Sequence, residues 1–342
     1  MATIKDIARQ LNISTSTVSY ALNGGPRQVP EAVRDRVLAM ARELNYRPNS
    51  VARSLVTGRT GALGVVADGQ GNWVHALVEQ GRRMGEDLLF IHPAAGAVSE
   101  VIALNLLDGR VDGVLLTGEN PDRKIIDMLA ELQFPCVLLG SERDGPSYTV
   151  SLRSGIERAM EHLVSLGHMR IANLMSPLDL PSAQEQEETF RDCLLTHSLD
   201  LIPGYLLEGP ATLEAGYQAG KKLLSLTERP TAIIAGSSSA AFGVCRAAAE
   251  IGVEIPKDLS VVSIGGSPLS EAFQPALTTI SVPYAEMATA ALKALIALSR
   301  SQEPPASQKF EATLIERGST GRATRAPITL KRFDRDRLRG LS

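Results

Sequence analysis

Residues 2–23 read ATIKDIARQLNISTSTVSYALN, and the two helical patterns in this stretch decide how the rest of the chain is read. Thr3 can cap a first helix, with Asp6 in the acceptor position of a capping box. Ile4, Ile7, Ala8 and Leu11 recur at helical spacing and form one apolar face. Asn12-Ile13-Ser14 makes a tight turn, and Ser14 can cap a second helix running from Thr15 to Leu22. Val18, Ala21 and Leu22 face inward from it, which leaves Thr15, Ser16, Thr17 and Tyr20 outside. Pro30 opens a third helix, where Val33, Val37, Met40, Ala41 and Leu44 close a small core. Arg34, Arg36 and Arg42 lie elsewhere on that helix and suit a solvated face at least as well as a phosphate contact. Two short helices joined by such a turn follow the helix-turn-helix plan, whose second helix enters the DNA major groove N-terminus first.

The next stretch, NYRPNSVARSLVTGRT over residues 45–60, leaves this head. Pro48 stops it. Asn49 to Val56 is long enough for about two helical turns, marginal alone in water. Such a segment orders only when packing and binding offset the entropy.

The run resembles the DNA-binding headpiece of the lactose-repressor (LacI/GalR) family. The residues that carry the resemblance are Thr3-Ile4-Lys5-Asp6-Ile7-Ala8, Thr17-Val18-Ser19, Leu22-Asn23, Asn45-Tyr46-Arg47-Pro48-Asn49 and Val51-Ala52-Arg53-Ser54-Leu55. The resemblance implies base contacts from Thr15, Ser16 and Tyr20. It implies phosphate contacts from Thr3, Lys5, Ser14, Thr17, Asn23, Tyr46 and Arg53. It makes residues 49–60 a hinge that turns helical when two subunits sit on DNA. Leu55 then becomes an apolar wedge in the minor groove. The implied partners are a palindromic double-stranded operator, a second copy of the chain and, in many members, a small-molecule effector.

The charge distribution agrees with a head that alone meets phosphate. The 342 residues carry a net charge of −3, but nine Lys/Arg against four Asp/Glu give residues 1–60 a net +5. Residues 318–342 also carry +5, so the middle of the chain holds −13. No run of eighteen apolar residues exists and the N-terminus is polar at once, so neither a membrane span nor a secretory signal is expected. The expected compartment is the cytoplasm. Cys136, Cys193 and Cys245 have neither disulfide-framework nor metal spacing, and the five histidines have none either. No metal or cofactor is expected.

From Ala62 on, β-rich runs alternate with helical patterns, which means parallel sheets covered on both faces. Strands are expected at Leu63–Ala67, Leu88–His92, Val114–Thr117, Cys136–Leu139, Ile171–Leu174, Ala232–Ala235 and Ser260–Ile264. These are too many units for one compact sheet. The resemblance continues through Val111-Asp112-Gly113, His162-Leu163, Leu166-Gly167-His168, Gly243, Pro256 to Val262 and Pro275 to Ile280. It implies a periplasmic-binding-protein-like (type I) body of two doubly wound subdomains. The expected domains are a headpiece over 1–48, a hinge over 49–60 and a body over 61–318. Within the body, one subdomain takes about 61–150 and 282–300, the other about 152–280, with a final strand near 309–317. Crossings between them are expected near Ser151, Ile280 and Gln302. Residues 319–342 form a basic tail outside the pattern, without the leucine heptads of a helix bundle.

Ligands of such folds sit outside the carboxyl ends of the strands. After the first strand, Asp68-Gly69-Gln70-Gly71-Asn72-Trp73 stands where the family has Asn-Pro-aromatic, so Trp73 either stacks on a ligand ring or packs in the core. The family's Asp-Asn pair is Ser151-Leu152 here, its arginine is Gln186, its Ser-Asp is Ser237-Ser238, and its Asp-Asp is Gly265-Gly266. Charged groups that grip sugar hydroxyls or carboxylates are thus replaced by neutral or small ones. The expected effector set is Asp68, Gln70, Asn72, Trp73, Ser151, Gln186, Ser238 and Gly265, suited to a flatter, less polar ligand than a sugar, or to none. An enzyme is not expected. Gly216 to Lys222 imitates a phosphate loop, but its glycines are four apart, no Ser/Thr follows the lysines, and it lies inside a helical pattern. His168 follows Leu-Gly at a helix end, where it can favour the dipole. The reading is a sequence-specific transcription regulator, a repressor in preference to an activator. The alternatives are an architectural DNA binder that senses nothing and, less favoured, a solute-binding protein.

Overall fold

The computed structural model describes residues 2–23, 28–46, 59–67, 71–91, 108–143 and 145–324. The chain divides into two compact units, residues 1–62 with 106–112, and residues 63–105 with 113–342.

The first unit is built on α1 (Ile4–Leu11), α2 (Thr15–Asn23) and α3 (Glu31–Glu43). The Thr3 N–H and hydroxyl both donate to Asp6 Oδ2, at 2.9 and 2.7 Å. Those two bonds hold the Asp6 carboxyl below the usual carboxylate range. Asn12 ends α1 in the left-handed region at φ 52°, a conformation Asn tolerates better than most residues. The Ile13 N–H returns to the Ala8 carbonyl at 3.1 Å, which turns the chain into α2. Ser14 Oγ then accepts the Thr17 N–H at 3.0 Å as the cap of α2. Ile7, Ala8, Val18, Ala21, Val37 and Ala41 form the core beneath. Fully burying one such Ile or Val is worth about 1.5–3 kcal/mol. So small a core leaves little reserve.

The second unit carries two sheets. In chain order the strands are β1 (Ala62–Val66), β2 (Asp87–Ile91), β3 (Val114–Thr117), β4 (Cys136–Leu139), β5 (Ser147–Ser151) and β6 (Ile171–Met175). They continue with β7 (Leu206–Glu208), β8 (Ala232–Ala235), β9 (Ser260–Gly265), β10 (Thr278–Ser281), β11 (Gln308–Glu311) and β12 (Thr313–Ile315). One sheet has the order β11-β5-β4-β3-β1-β2 and the other β12-β10-β9-β8-β6-β7. Each is therefore a doubly wound sheet with one late strand added at an edge. The strand order reverses at β1/β3 in the first sheet and at β6/β8 in the second, the positions where such folds open a crevice.

The helices of this unit are α4 (Gly71–Met84), α5 (Arg123–Glu131), α6 (Arg153–Ser165), α7 (Pro181–Thr196), α8 (Leu213–Leu224), α9 (Ser238–Glu250), α10 (Pro268–Ala272) and α11 (Tyr284–Ser299). The phosphate-loop imitation falls in α8, where its glycines serve packing. A Cβ on Gly216 would lie 2.1 Å from the Ala240 carbonyl oxygen, and one on Gly243 would lie 2.1 Å from that of Leu213. Only glycine lets α8 and α9 approach so closely.

Two expectations about the end of the chain need correction. The third crossing is not at Gln302. β11 runs parallel to β5 in the first sheet, β12 runs antiparallel to β10 in the second, and the buried Ala312 between them makes the crossing. The stretch around Pro304-Pro305 has linker composition, yet the Pro305 carbonyl accepts the Tyr148 hydroxyl at 3.0 Å beside β5. Nor does the fold stop at Gly318. Ser319 is fully buried, its Oγ donates to the Val261 carbonyl at 2.5 Å, and it accepts the Thr278 N–H at 2.8 Å. The Ala323 N–H donates to the Leu166 carbonyl at 2.9 Å. His168 is correspondingly no dipole partner. It is buried, with Nδ1 2.9 Å from Thr231 Oγ1 and Nε2 3.0 Å from the Gly321 carbonyl, so it pins residues 319–324. Burial pushes its imidazole below the ordinary value.

Candidate nucleic-acid interface and effector crevice

The candidate reading surface is the outer face of α2. Its core-facing residues Val18 and Ala21 fix the helix, and the Ser14 cap fixes its start. Thr15 and Ser16 are exposed on the first turn and Tyr20 is half-buried one turn on. No hydrogen bond joins the side chains of these three to another described residue. Thr3, Lys5 and Ser14 are exposed beside them, and Thr17 is half-buried with its Oγ1 2.8 Å from Ser14 Oγ. Tyr46 packs on the head core and its N–H donates to the Ala41 carbonyl at 2.8 Å. Asn23 closes α2. Arg53 and Leu55 lie outside the described residues. The arrangement offers hydroxyls and free N–H groups at two helix starts, which suits phosphate oxygens and base edges.

The crevice region is different, because the polar side chains described there are engaged inside the protein. Trp73 is not on a loop. It lies in the first turn of α4, is only 8 % exposed, and meets Tyr284 edge-on with ring centroids 4.7 Å apart. Its ring belongs to the core of this unit. Gln186 on α7 is 3 % exposed, and its Nε2 donates to Asn173 Oδ1 at 2.6 Å. Ser151 Oγ donates to Glu185 at 2.7 Å, and the Leu152 N–H donates to the other oxygen of the same carboxylate at 2.7 Å. Ser238 is buried and accepts the Ser270 hydroxyl at 3.4 Å. Gly265 and Gly266 both have positive φ, 102° and 77°, and offer only backbone. Asn72 falls in the first turn of α4, and Asp68 and Gln70 lie outside the described residues.

Sequence reasoning passed over two carboxylates that act here. Glu119 follows β3 by two residues, at the switch point of the first sheet. Its oxygens accept the Ser182 N–H at 2.8 Å and the Ser182 hydroxyl at 2.6 Å. Ser182 is in the first turn of α7, just after β6 at the switch point of the second sheet, and a carboxylate is favoured at such a helix start. Beside it, Asn120 Nδ2 donates to the Asp179 carbonyl at 3.0 Å. Glu185 is the second, and it caps the start of α6. The available signal was position alone, an acidic residue directly after a strand and another beside Gln186.

Among the described residues no group of three or more His, Cys, Asp or Glu is placed to hold a metal ion. No described helix is long and apolar enough to cross a membrane. Burial pushes the Cys136 and Cys245 thiols up to about 12 and Cys193 up to about 11, so they stay protonated and unreactive.

A helix-turn-helix head followed by a body of two doubly wound sheets is the build of a DNA-binding transcription regulator. Comparison with known proteins agrees. Residues 3–49 match the model for bacterial regulatory proteins of the lacI family, and residues 160–320 match that for a periplasmic binding protein-like domain. The ribose operon repressor of Escherichia coli K12 is 31% identical over 334 residues, covering 93% of this chain and 100% of that protein. Catabolite control protein A of Priestia megaterium is 29% identical, covering 86% and 91%. The crystal structure of the lac repressor dimer bound to operator and an anti-inducer superposes with a TM-score of 0.77 at 27% identity, covering 94% and 99%. The chain belongs to the LacI family of transcriptional regulators.

Proposed function

We propose that this regulator is a cytoplasmic repressor and not an enzyme, and that it binds a near-palindromic operator as a homodimer. Its head is residues 1–48, its hinge residues 49–60. The observation that carries the reading is the open hydroxyl face of α2, with Thr15 and Ser16 exposed at the start of a capped helix. Thr15, Ser16 and Tyr20 read bases, and Leu55 acts as the wedge at the centre of the site. Thr3, Lys5, Ser14, Thr17, Asn23, Tyr46 and Arg53 meet phosphates. Two-fold pairing of heads this small supplies the affinity one lacks. Among the relatives are the ribose operon repressor of Escherichia coli and the HTH-type transcriptional repressor PurR of Photobacterium profundum, which supports the sign of regulation. Selection of binding sites from random DNA with the full chain should return a motif with dyad symmetry. A motif without a dyad would sink the reading.

For the effector, the engaged crevice supports a ligand that is not a simple sugar. A sugar leaves water only if its hydroxyls are bonded again, and each unpaired buried group costs about 1–3 kcal/mol. Ser151, Gln186 and Ser238 already have protein partners. The Glu119–Ser182 contact favours a second reading, a body that closes on itself and serves dimerisation without a small molecule. Calorimetric titration of the full chain with common mono- and disaccharides should give no heat of micromolar binding. Micromolar binding that disappears in Gln186→Ala would overturn both readings.

A further inference from the structure

We infer that Asp112 is a positioning residue for operator binding: its carboxylate fixes the direction in which the chain leaves β1 toward the hinge. The inference rests on the hinge reading above. Arg59-Thr60-Gly61 are the last residues before β1, and Asp112 stands two residues before β3, the strand paired with β1 from Gly64↔Val114 onward. Asp112 Oδ1 accepts the Thr60 N–H at 2.6 Å and the Thr60 hydroxyl at 2.9 Å. Oδ2 accepts the Gly61 N–H at 2.8 Å and lies 3.7 Å from Arg59 Nε. The Asp112 N–H donates to the Ala62 carbonyl at 2.8 Å. One residue thus gathers both N–H groups of a turn, a hydroxyl and a cation, with its side chain only 9% exposed.

The chemistry requires a carboxylate. Two convergent N–H groups need two acceptor oxygens with no donor between them, which Asp provides and Asn does not. Charge-assisted bonds of this kind are shorter and stronger than neutral ones. Gly61 completes the turn at φ 74°, where a side chain would be strained. The consequence lies outside the turn. A segment that orders on DNA binds more tightly when its anchored end is already fixed. An operator with two half-sites also demands one spacing between two heads, and a fixed exit is what makes the demand strict.

The test uses the full chain and the operator obtained by site selection, with Asp112→Ala and the isosteric Asp112→Asn. Three quantities are read: affinity for the operator, affinity for the same operator with one base pair inserted at its dyad, and thermal melting of the protein. Loss of the anchor should weaken operator binding on the order of tenfold, within the range typical of coupling between sites. It should also narrow the wild-type preference for the correct spacing, while the bases preferred in each half-site stay the same. Loss of stability alone lowers binding to both spacings equally and does not narrow that preference. If Asp112→Ala fails to fold, Asp112→Asn carries the same comparison. Variants that keep the wild-type spacing preference overturn the inference, whatever happens to their melting. Failure of the hinge reading itself shows separately, as a wild-type chain that selects no two-fold site.

Discussion

The head and the crevice use the same kinds of polar side chain in opposite ways. On α2 the hydroxyls of Thr15 and Ser16 face solvent, while the capping and packing that hold the helix are supplied from its other side. In the crevice Ser151, Gln186 and Ser238 are buried and bonded to Glu185, Asn173 and Ser270. A polar group left in water by its own fold is available to a partner. A polar group already bonded within the fold can bind a ligand only by giving up that bond. The comparison teaches that residue type at a family position does not identify a binding group until its internal partners are known.

The largest expected effect is on the head. Raising salt from about 50 to 200 mM should lower operator affinity by on the order of a thousandfold, because neutralised phosphates release counterions. Anisotropy titration across that range measures it, and an affinity flat in salt would remove phosphate contact from the account. Next comes Tyr20→Ala, which should cost about 1–3 kcal/mol on the operator and relax one or two symmetric positions. Equal loss on operator and random DNA would mean that Tyr20 does not read bases.

The crevice should answer in the opposite currency, stability. Gln186→Ala removes the donor to Asn173 Oδ1 in a buried site and should lower unfolding free energy by about 1–3 kcal/mol with operator affinity unchanged. Chemical denaturation checks this; unchanged stability would mean the amide is free for a ligand after all. The smallest effect is expected at the tail. Truncation after Thr324 should leave the salt slope of DNA binding as it is, whereas a slope reduced by one or more would bring Arg325 to Arg339 into the interface. Truncation after Gly318 is no clean test, since it deletes Ser319 and its bonds to Val261 and Thr278.

Much of the fold was legible in the residues. β3, β4 and β8 begin and end where their short apolar runs predict, and the capping box and turn of the head appear as written. The misses share a cause. β5, β7 and β10 are short and partly polar: SYTVS sets only Tyr148 and Val150 among hydroxyl residues and TTIS only Ile280, signals too brief to mark a strand, so their pairing comes from neighbouring strands. Pro304-Pro305 and Ser319 to Thr324 have the composition of linker and tail. They are ordered by contacts to β5, β9 and β10, which lie far away in sequence.

The sequence by itself determined the head, the alternation of the body, and the loss of charge at the crevice positions, because caps, turns and helical periodicity act over a few residues. Only the tertiary structure decided where the polar side chains were spent. Glu119 reaching Ser182, Glu185 reaching Ser151, Asp112 gathering Thr60 and Gly61, and Trp73 meeting Tyr284 at a near-perpendicular ring angle all join residues remote in the chain. Hydrogen bonds and ring contacts depend on ångström distances between such residues, and a linear order of side chains carries no record of those distances.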